Sequence, residues 1–377
     1  MKSGTLLAIV RKEFRQIRRD PSSLGMLLVL PSALIVLVGY ALNFDVRHIP
    51  LILYDQDKSE QSRDFLRVFR QTEYFDLVAT VDSYAEVEQL INSGAAGAAV
   101  VVPVTFSRDL AAGVDVRVQV LVDGSDANSA GQAVSYAARM ISSHSLKLVT
   151  EALTRVGREP FVPVDFRPRV WYNPDLISSK FLVPGLIGFI LVLTAVVSTS
   201  MTVVREKERG TMEQILVSPV RPLELILGKT IPYLIISVIA ATMILVLGYV
   251  LFDVEIEGSI LLLYLAILIL VIGALAQGLL ISTVTDSQQV AFMLSVFSSL
   301  LPSFLLSGFI FPVSNMPYIL QIISNVAVAK FFLVICRGII LKGVGMDALW
   351  EQFIFMSLFA FVLLGISVKR MRAEGGQ

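Results

Sequence analysis

The stretch VVREKERGTMEQILVSP, residues 203–219, decides the fold class, because it marks the end of a long apolar segment. The run before it, about two dozen apolar residues, is long enough to cross the hydrocarbon core of a bilayer as a helix. Five consecutive charged residues, Arg205 to Arg209, then indicate that the chain has left the hydrocarbon. The sequence is therefore that of a membrane protein, and this stretch lies just outside the membrane.

A short, separately capped helix is predicted directly after the charged residues. Gly210 is expected to end the emerging helix, because glycine adopts the left-handed conformation of a helix cap at little steric cost. Thr211 and Gln214 have the spacing of a capping box, and Ser218-Pro219 ends the new helix after about two turns. The apolar residues on one face of this helix are Met212, Ile215 and Leu216. We expect this face to dock on a soluble partner, and a purely topological role of the charges is the alternative.

The residue identities in this stretch resemble the type-2 (ABC-2) permease family of ATP-binding-cassette transporters. The resemblance begins with REKERGTMEQI at residues 205–215 and Ser218-Pro219, and it reaches from end to end of the chain. The further matching stretches are KEF at 12–14, RDP at 19–21, LGK at 227–229, SGFIFP at 307–312, MP at 316–317, RG at 337–338 and LKG at 341–343. In that family the segment corresponding to 205–219 is a coupling helix that sits in a groove of the ATPase subunit.

The resemblance implies an assembly of two permease subunits and two ATPase subunits. ATP and Mg would be bound by the partner ATPase, and this chain would bind no cofactor. The two permeases could be identical or different, as a homodimer or a heterodimer. The expected coupling residues are Arg205, Glu206, Glu208 and Glu213 as polar contacts, Met212, Ile215 and Leu216 as apolar contacts, and Gly210 and Thr211 at the turn.

The composition agrees with a membrane protein and excludes several other classes. The chain is 55% hydrophobic and 16% charged, and its formal net charge of zero gives no argument for nucleic acid. The single cysteine, Cys336, excludes an intramolecular disulfide. The two histidines, His48 and His144, lie far apart in sequence and near no cysteine, so no metal site is expected.

The chain divides into four predicted parts. Residues 1–22 are predicted to form a basic amphipathic helix that lies in the cytoplasmic interface, held by apolar burial and membrane lipid. Residues 23–44 form the first transmembrane helix, and residues 45–178 an extracytoplasmic α/β domain. Residues 179–377 hold transmembrane helices 2–6, the coupling helix 205–219 and an outer re-entrant segment, 312–345.

The α/β domain is predicted from strands that alternate with helices. The expected strands are 49–54, 75–81, 98–102 and 116–122, and a long helix over 128–156 leads back towards the membrane. This alternation favours a compact domain with an at least partly parallel sheet. The domain could hand substrate onward or bind a periplasmic adaptor protein.

Six transmembrane helices are predicted, although a seventh apolar stretch is present. Residues 318–341 carry Asn325, Lys330 and Arg337, which a full crossing would bury in the membrane. Six helices place both basic termini and the 205–209 cluster in the cytoplasm, as the positive-inside bias prefers. We therefore expect 318–341 to dip into the outer leaflet, and Lys229 to snorkel at the cytoplasmic edge of its helix.

No catalytic or metal site is expected. The stretch LGKT at 227–230 is similar to the end of a phosphate-binding loop, but the motif needs a glycine where Leu223 stands and a strand before it. No grouping of serine, histidine and carboxylate indicates nucleophilic catalysis. Any ATP hydrolysis must therefore belong to a separate chain.

Polar stripes on the transmembrane helices are candidates for a substrate path. Hydroxyls repeat every four residues on the second and fifth helices, and an amide lies on the fourth. The path residues are Thr194, Ser198, Gln277, Ser295, Ser299 and Ser303, and Thr202 continues the first stripe. A weakly polar path suits an amphipathic substrate, and ordinary helix packing is the alternative.

The sequence thus predicts the permease subunit of an ATP-driven exporter in a bacterial inner membrane. Its substrate would be hydrophobic or amphipathic, drug-like or lipid-like, and would leave the cytoplasm or the inner leaflet. The alternative is a membrane sensor or a secondary transporter with an extracytoplasmic ligand-binding domain. The absence of intramembrane carboxylates and of an evident internal repeat disfavours secondary transport.

Overall fold

The structure, a computed structural model, describes residues 3–41, 48–155, 169, 171–174, 177–211 and 222–374. The chain divides into two compact units. One unit consists of Met1–Asn43 with Arg169–Gln377, and the other of Phe44–Pro168. Each unit is described separately below.

The helical unit begins with helices α1 (Ser3–Arg19), α2 (Pro21–Leu24) and α3 (Leu30–Ala41). Between α2 and α3 lies a π-helical turn, Gly25–Val29, in which the N–H of Leu30 donates to the carbonyl of Gly25. The turn ends two residues before Pro31, which has no N–H to continue the regular ladder. The basic residues Arg18 and Arg19 lie in the last turn of α1, where they favour the negative end of the helix dipole.

The second unit is an α/β fold around a four-stranded sheet. Its elements are β1 (Ile49–Asp55), α4 (Glu60–Arg70), β2 (Phe75–Val81), α5 (Tyr84–Asn92), β3 (Ala98–Val102), α6 (Phe106–Ala111), β4 (Gln119–Val122) and α7 (Ala127–Arg155). The strand order is β2-β1-β3-β4, with β1 parallel to β2 and β3, and β4 antiparallel to β3. The strands lie where the sequence predicts them, except that the fourth begins at Gln119 rather than at residue 116.

Two hydrophobic layers cover the two faces of this sheet. Phe65 and Phe69 of α4 and Phe106 of α6 pack with Ala133 and Ala137 of α7 against one face. Val87 of α5 packs against the other face, with the neighbouring side chains of β1 and β3. The central strand β3 is buried along its whole length, which explains its purely apolar sequence AAVVV.

The rest of the helical unit is a bundle built around one buried helix. Its helices are α8 (Ser178–Glu208), α9 (Pro222–Phe252), α10 (Ile260–Thr283), α11 (Gln288–Leu301), α12 (Tyr318–Ile323), α13 (Val328–Lys342) and α14 (Met346–Glu374). Helix α8 is buried along most of its length and packs against α3, α9, α10, α11 and α13. Gly278 allows α10 to approach α8 closely, because a Cβ atom there would lie 2.6 Å from the carbonyl oxygen of Val196.

Five helices of the described residues are long and apolar enough to cross a membrane. They are Ser178–Glu208, Glu224–Phe252, Ile260–Thr283, Gln288–Leu306 and Met346–Met371. The predicted first span corresponds to a shorter apolar helix, Gly25–Ala41, and its expected end lies outside the described residues. The six-span topology made of these helices stays a prediction.

The predicted re-entrant segment is two helices with a sharp bend between them. Tyr318–Val326 and Val328–Lys342 meet at 87°, so they form either a broken span or a re-entrant loop. Arg337 on α13 supports the irregular backbone that precedes this segment. Its Nη1 and Nη2 donate to the carbonyls of Gly308 at 3.2 Å and Phe309 at 3.1 Å. Arg337 thus satisfies carbonyl groups that the irregular chain leaves without helical partners.

Candidate functional site

Helix α8 ends where the sequence predicts, at the beginning of the coupling segment. Gly210 has a φ of +66°, and its N–H donates to the carbonyl of Lys207 at 3.0 Å. The hydroxyl of Thr211 donates back to the carbonyl of Glu206 at 3.1 Å. The remaining predicted coupling residues, Met212, Glu213, Ile215 and Leu216, lie outside the described residues, and so does the capping box with Gln214.

Four charged side chains meet at this end of the bundle, and we call them the ion cluster: Lys12, Glu13, Glu206 and Lys229. Glu206, in the last turn of α8, accepts from Lys12 of α1 and from Lys229 of α9. Glu13 lies 3.0 Å from the ammonium of Lys12 and 3.5 Å from that of Lys229. The cluster therefore joins α1, α8 and α9 at Glu206, the second residue of the coupling segment 205–219.

The ion cluster is buried and electrically balanced. The side chains of Glu13, Lys229 and Glu206 are 0%, 2% and 6% exposed, whereas Lys12 is 44% exposed. Burying a single ion costs several kcal/mol, so the two lysines and two glutamates stabilise the bundle only as a set. Among the described residues, the Oε2 atom of Glu13 has no hydrogen-bond partner.

The charge of Lys12 is maintained by its two carboxylate partners. Burial acts to lower the pKa of Lys12, but the contacts with Glu206 and Glu13 outweigh it and hold that pKa above its ordinary value. Lys12 is therefore an ammonium ion at neutral pH, and it connects the exposed side of α1 to the buried carboxylates.

The sequence explains why α1 reaches α9 at this point. A Cβ atom on Gly228 would lie 2.5 Å from Cγ2 of Ile9, so only a glycine allows α1 to pack this closely on α9. Lys229 follows directly and is directed by this packing towards Glu13. The predicted snorkelling of Lys229 is therefore wrong, because its ammonium is buried and paired inside the bundle.

The ion cluster as a unit does not follow from the sequence motifs. In the sequence, Lys12, Glu13 and Lys229 belong only to stretches that match a family, and Lys229 also reads as a charge at a membrane edge. One feature of the sequence does point to such a cluster: Lys229 lies within a long apolar helix. An ionisable residue in such a helix normally has a charged or polar partner. Nothing local identified that partner, since Glu206 is 23 positions from Lys229 and 194 from Lys12.

Two further predicted coupling residues that the structure describes, Arg205 and Glu208, also have partners within the chain. The guanidinium of Arg205 lies 2.6 Å from Asp20 and its Nε donates to Gln288 at 3.2 Å. Glu208 accepts from the backbone N–H of Gln288 at 2.7 Å and from its side-chain amide. These contacts hold the end of α8 to the α1–α2 junction and to the beginning of α11. A docking role of Arg205, Glu206 and Glu208 on a partner stays a prediction.

Two cavities lie beside the polar stripes. The larger, about 550 Å³, is lined on one side by Gln277, Ser299 and Ser303 and otherwise mostly by apolar side chains of α10, α11 and α14. The smaller, about 200 Å³, is lined by Ser198, Thr202, Tyr233 and by other residues of α8, the π-helical turn and α11. Both are formed within the helical unit.

The predicted path residues therefore do not form one continuous stripe. Three of them line the larger cavity, and Ser198 lines the smaller one with Thr202. Thr194 lines neither, and its hydroxyl donates to the carbonyl of Ile190 at 2.8 Å. Ser295 lies 2.6 Å from Ser200 and joins α11 to α8. These last two contacts are of the kind found in helix packing, and a transport role of all six predicted path residues stays a prediction.

No group of three or more histidine, cysteine, aspartate or glutamate side chains that could hold a metal ion occurs in the described part of the chain. The carboxylates of the ion cluster are already paired with lysines, which leaves them unsuited to a cation site. The chemistry of this end of the bundle is thus electrostatic attachment between helices.

Comparison with known proteins places these features in a family. Residues 21–369 match the family described as ABC-2 family transporter protein. The chain is 31% identical over 347 residues to the probable multidrug ABC transporter permease YbhR of Escherichia coli K12, which covers 92% of both chains. It is 30% identical over 362 residues to the probable multidrug ABC transporter permease YbhS of the same strain, covering 96% of this chain and 94% of the relative.

A third relative has a similar length and a lower identity. The inner membrane transport permease YhhJ of Escherichia coli K12 is 28% identical over 331 residues, which cover 87% of this chain and 86% of the relative. The family match over residues 21–369 spans the end of α8, the cluster members Glu206 and Lys229 and the following membrane helices. The chain therefore belongs to the ABC-2 family of transporter proteins.

Proposed function

We propose that this chain is the membrane-spanning permease subunit of an ATP-driven exporter. Its substrate is a hydrophobic or amphipathic molecule, drug-like or lipid-like, that leaves the cytoplasm or the inner leaflet. Family membership implies a separate ATPase subunit and a second permease subunit. The larger cavity, mostly apolar with a few hydroxyls and one amide, has the character expected of a site for such a substrate.

The observation that carries the proposal is the attachment of the end of α8. Glu206 binds lysines of α1 and α9, and Arg205 binds Asp20, at the beginning of the coupling segment 205–219. A displacement of the segment 205–219 by an ATPase would therefore move α8, α1 and α9 together. Because α8 is the central helix of the bundle, this movement would change the access to the cavities beside it.

The remaining parts of the assembly follow from this topology. ATP and Mg are bound by the partner ATPase, and both termini of this chain lie in the cytoplasm. The α/β unit then lies outside the inner membrane, where it hands substrate onward or binds a periplasmic adaptor. The positive charges of α1, of residues 205–209 and of residues 369–372 agree with this orientation.

The proposal is tested by purification from the native host in a mild detergent, with mass spectrometry of the co-purifying proteins. We expect a near-equimolar ATPase that carries its own phosphate-binding loop, and ATP-dependent uptake of an amphipathic dye into inverted vesicles. A preparation without any ATPase, and vesicles without ATP-dependent uptake, would instead favour a sensor or a secondary transporter.

The coupling segment is tested by Glu213→Arg. In this variant, assembly with the ATPase should still be detectable. ATP hydrolysis should be uncoupled from transport, because the segment no longer fits the groove of the ATPase. The measurement is the number of ATP molecules hydrolysed per dye molecule transported, compared with the wild type at equal expression. Wild-type coupling in this variant would contradict the docking assignment.

A further inference from the structure

In the part of the chain that the structure describes, the larger cavity is lined by one positively charged side chain, that of Arg370, and otherwise by uncharged residues. We propose that it is the entry site for an anionic amphiphile of the inner leaflet, with the acidic headgroup at Arg370 and an acyl chain along α14. The inference rests on the proposed function and its topology, and it specifies the substrate class and the direction from which the substrate enters.

The first argument is the charge of the lining. Arg370 is the single charged residue among the described residues that line the cavity, and no carboxylate lines it. Arg370 is exposed, and the described side chains offer it no ion pair. A positively charged amphiphile would therefore meet only repulsion here, whereas a phosphate or carboxylate would find a guanidinium that can donate two parallel hydrogen bonds.

The second argument is the length of the cavity along α14. Its lining residues on this helix are Phe359, Leu363, Ile366 and Arg370, which share one face. Eleven residue steps separate the first from the last, or about 16 Å at 1.5 Å per residue. This is about half of the ~30 Å hydrocarbon thickness, so the cavity spans one leaflet.

The third argument is the depth of the two ends. Arg370 lies within the basic sequence KRMR at 369–372, which the positive-inside bias places at the cytoplasmic headgroups. The other polar groups of the described lining are neutral, and Gln277 donates to the hydroxyl and the carbonyl of Ser298 at 3.2 Å each. The charged end of an amphiphile thus belongs at Arg370, and its tail reaches towards the centre of the membrane.

The binding test uses native mass spectrometry of the purified transporter complex in a mild detergent. Equal amounts of phosphatidylglycerol and phosphatidylcholine are added, and the retained lipid is counted. We expect the wild type to retain phosphatidylglycerol preferentially, and Arg370→Gln to reduce that preference by about ten-fold, the effect of one charge-assisted contact. Inorganic phosphate should not compete with phosphatidylglycerol at the same concentration, because binding also requires an acyl chain.

Lys369→Gln is the matched control, because it removes the same charge from the neighbouring residue, which does not line the cavity. It should keep the preference for phosphatidylglycerol. Equal loss in both variants would show a general surface charge effect and overturn the site. Unchanged retention in Arg370→Gln would overturn it as well.

A second pair of variants tests the apolar part of the cavity. Ile366→Trp should fill it and reduce lipid retention several-fold, whereas Val362→Trp, one turn earlier on an exposed position outside the lining, should not. Loss of the permease dimer in Ile366→Trp without a change in lipid retention would instead assign this face to the subunit interface and overturn the proposal.

A transport assay distinguishes a site of substrate entry from a site that only binds lipid. In vesicles with the ATPase, Arg370→Gln should reduce ATP-dependent movement of a fluorescent phosphatidylglycerol more than Lys369→Gln does. Normal movement despite lost binding would overturn the role in entry. If the wild type moved neither the lipid nor the amphipathic dye with ATP, while lipid binding still depended on Arg370, the proposed export function would be refuted and the binding site would stand. Dye export without any movement of the lipid would overturn the role in entry.

Discussion

Lys229 is a buried cation whose stability depends on the rest of the ion cluster. Its ammonium is almost fully buried, and its charge is balanced by Glu206 and by Glu13 at 3.5 Å. A lysine in this position is stable only because the tertiary fold brings two carboxylates to it. The stability of each charged side chain in the cluster therefore depends more on its charged partners than on the helix that carries it.

Removing the charge of Lys229 should destabilise the helical unit. Lys229→Met keeps the length of the side chain but leaves two buried carboxylates with Lys12 alone, at a cost of about 3–5 kcal/mol. The measurement is the thermal unfolding midpoint in detergent, followed by tryptophan fluorescence. Lys369→Met, at an exposed position, is the control and should leave the midpoint unchanged. A normal midpoint for Lys229→Met would show that the cluster contributes no net stability.

At the scale of elements, the bundle is organised by close approaches between helices. Gly278 on α10 faces the backbone of α8, and Gly228 on α9 faces Ile9 of α1. Hydroxyl pairs add to these approaches, since Thr202 of α8 lies 2.8 Å from the hydroxyl of Tyr233 on α9. Small residues and hydroxyls thus determine which helices become neighbours of α8.

Two glycine substitutions should have opposite effects because their surroundings differ. In Gly278→Ala the new methyl would lie 2.6 Å from a backbone oxygen, which cannot move aside, so we expect a loss of about 1–3 kcal/mol. Gly365 on α14 has nothing within 4 Å of a built Cβ, so Gly365→Ala should be neutral or stabilise the helix by up to about 1 kcal/mol. Thermal unfolding of both variants in the same detergent measures the difference, and equal midpoints would contradict the packing argument.

At the scale of the whole molecule, the ion cluster connects the coupling segment to the membrane bundle. The proposed export mechanism needs α1, α8 and α9 to move as one body when an ATPase displaces residues 205–219. The cluster supplies that connection through ion pairs, because α1 contacts α9 directly and both are bound to Glu206.

This connection is tested by exchanging the charges of Glu206 and Lys229. Glu206→Lys alone and Lys229→Glu alone each leave like charges together in the cluster, and both should abolish ATP-dependent transport. The double variant restores the charge balance and should recover transport several-fold over either single variant. The readout is dye uptake and ATP hydrolysis in inverted vesicles at equal expression. A double variant no better than the singles would contradict the electrostatic connection.

Much of the local structure was predictable from the chain. The apolar spans, the end of α8 at Gly210 and the strands of the α/β unit follow from patterns that repeat every two to four residues or from a single backbone preference. The same patterns located the polar stripes, but they could not decide which hydroxyls line a cavity. Thr194 and Ser299 occupy equivalent places in such stripes, yet only Ser299 lines one.

The amino-acid sequence alone determined the membrane class of this protein, the position of its apolar helices and the family to which it belongs. The tertiary structure alone shows that Glu206 and Lys229 bind each other, and that Glu13, 216 positions before Lys229, joins them. The physical reason is the distance along the chain over which each kind of interaction acts. Helix periodicity and capping depend on residues within a turn or two of each other, whereas a buried ion pair or a cavity depends on which distant helices pack together.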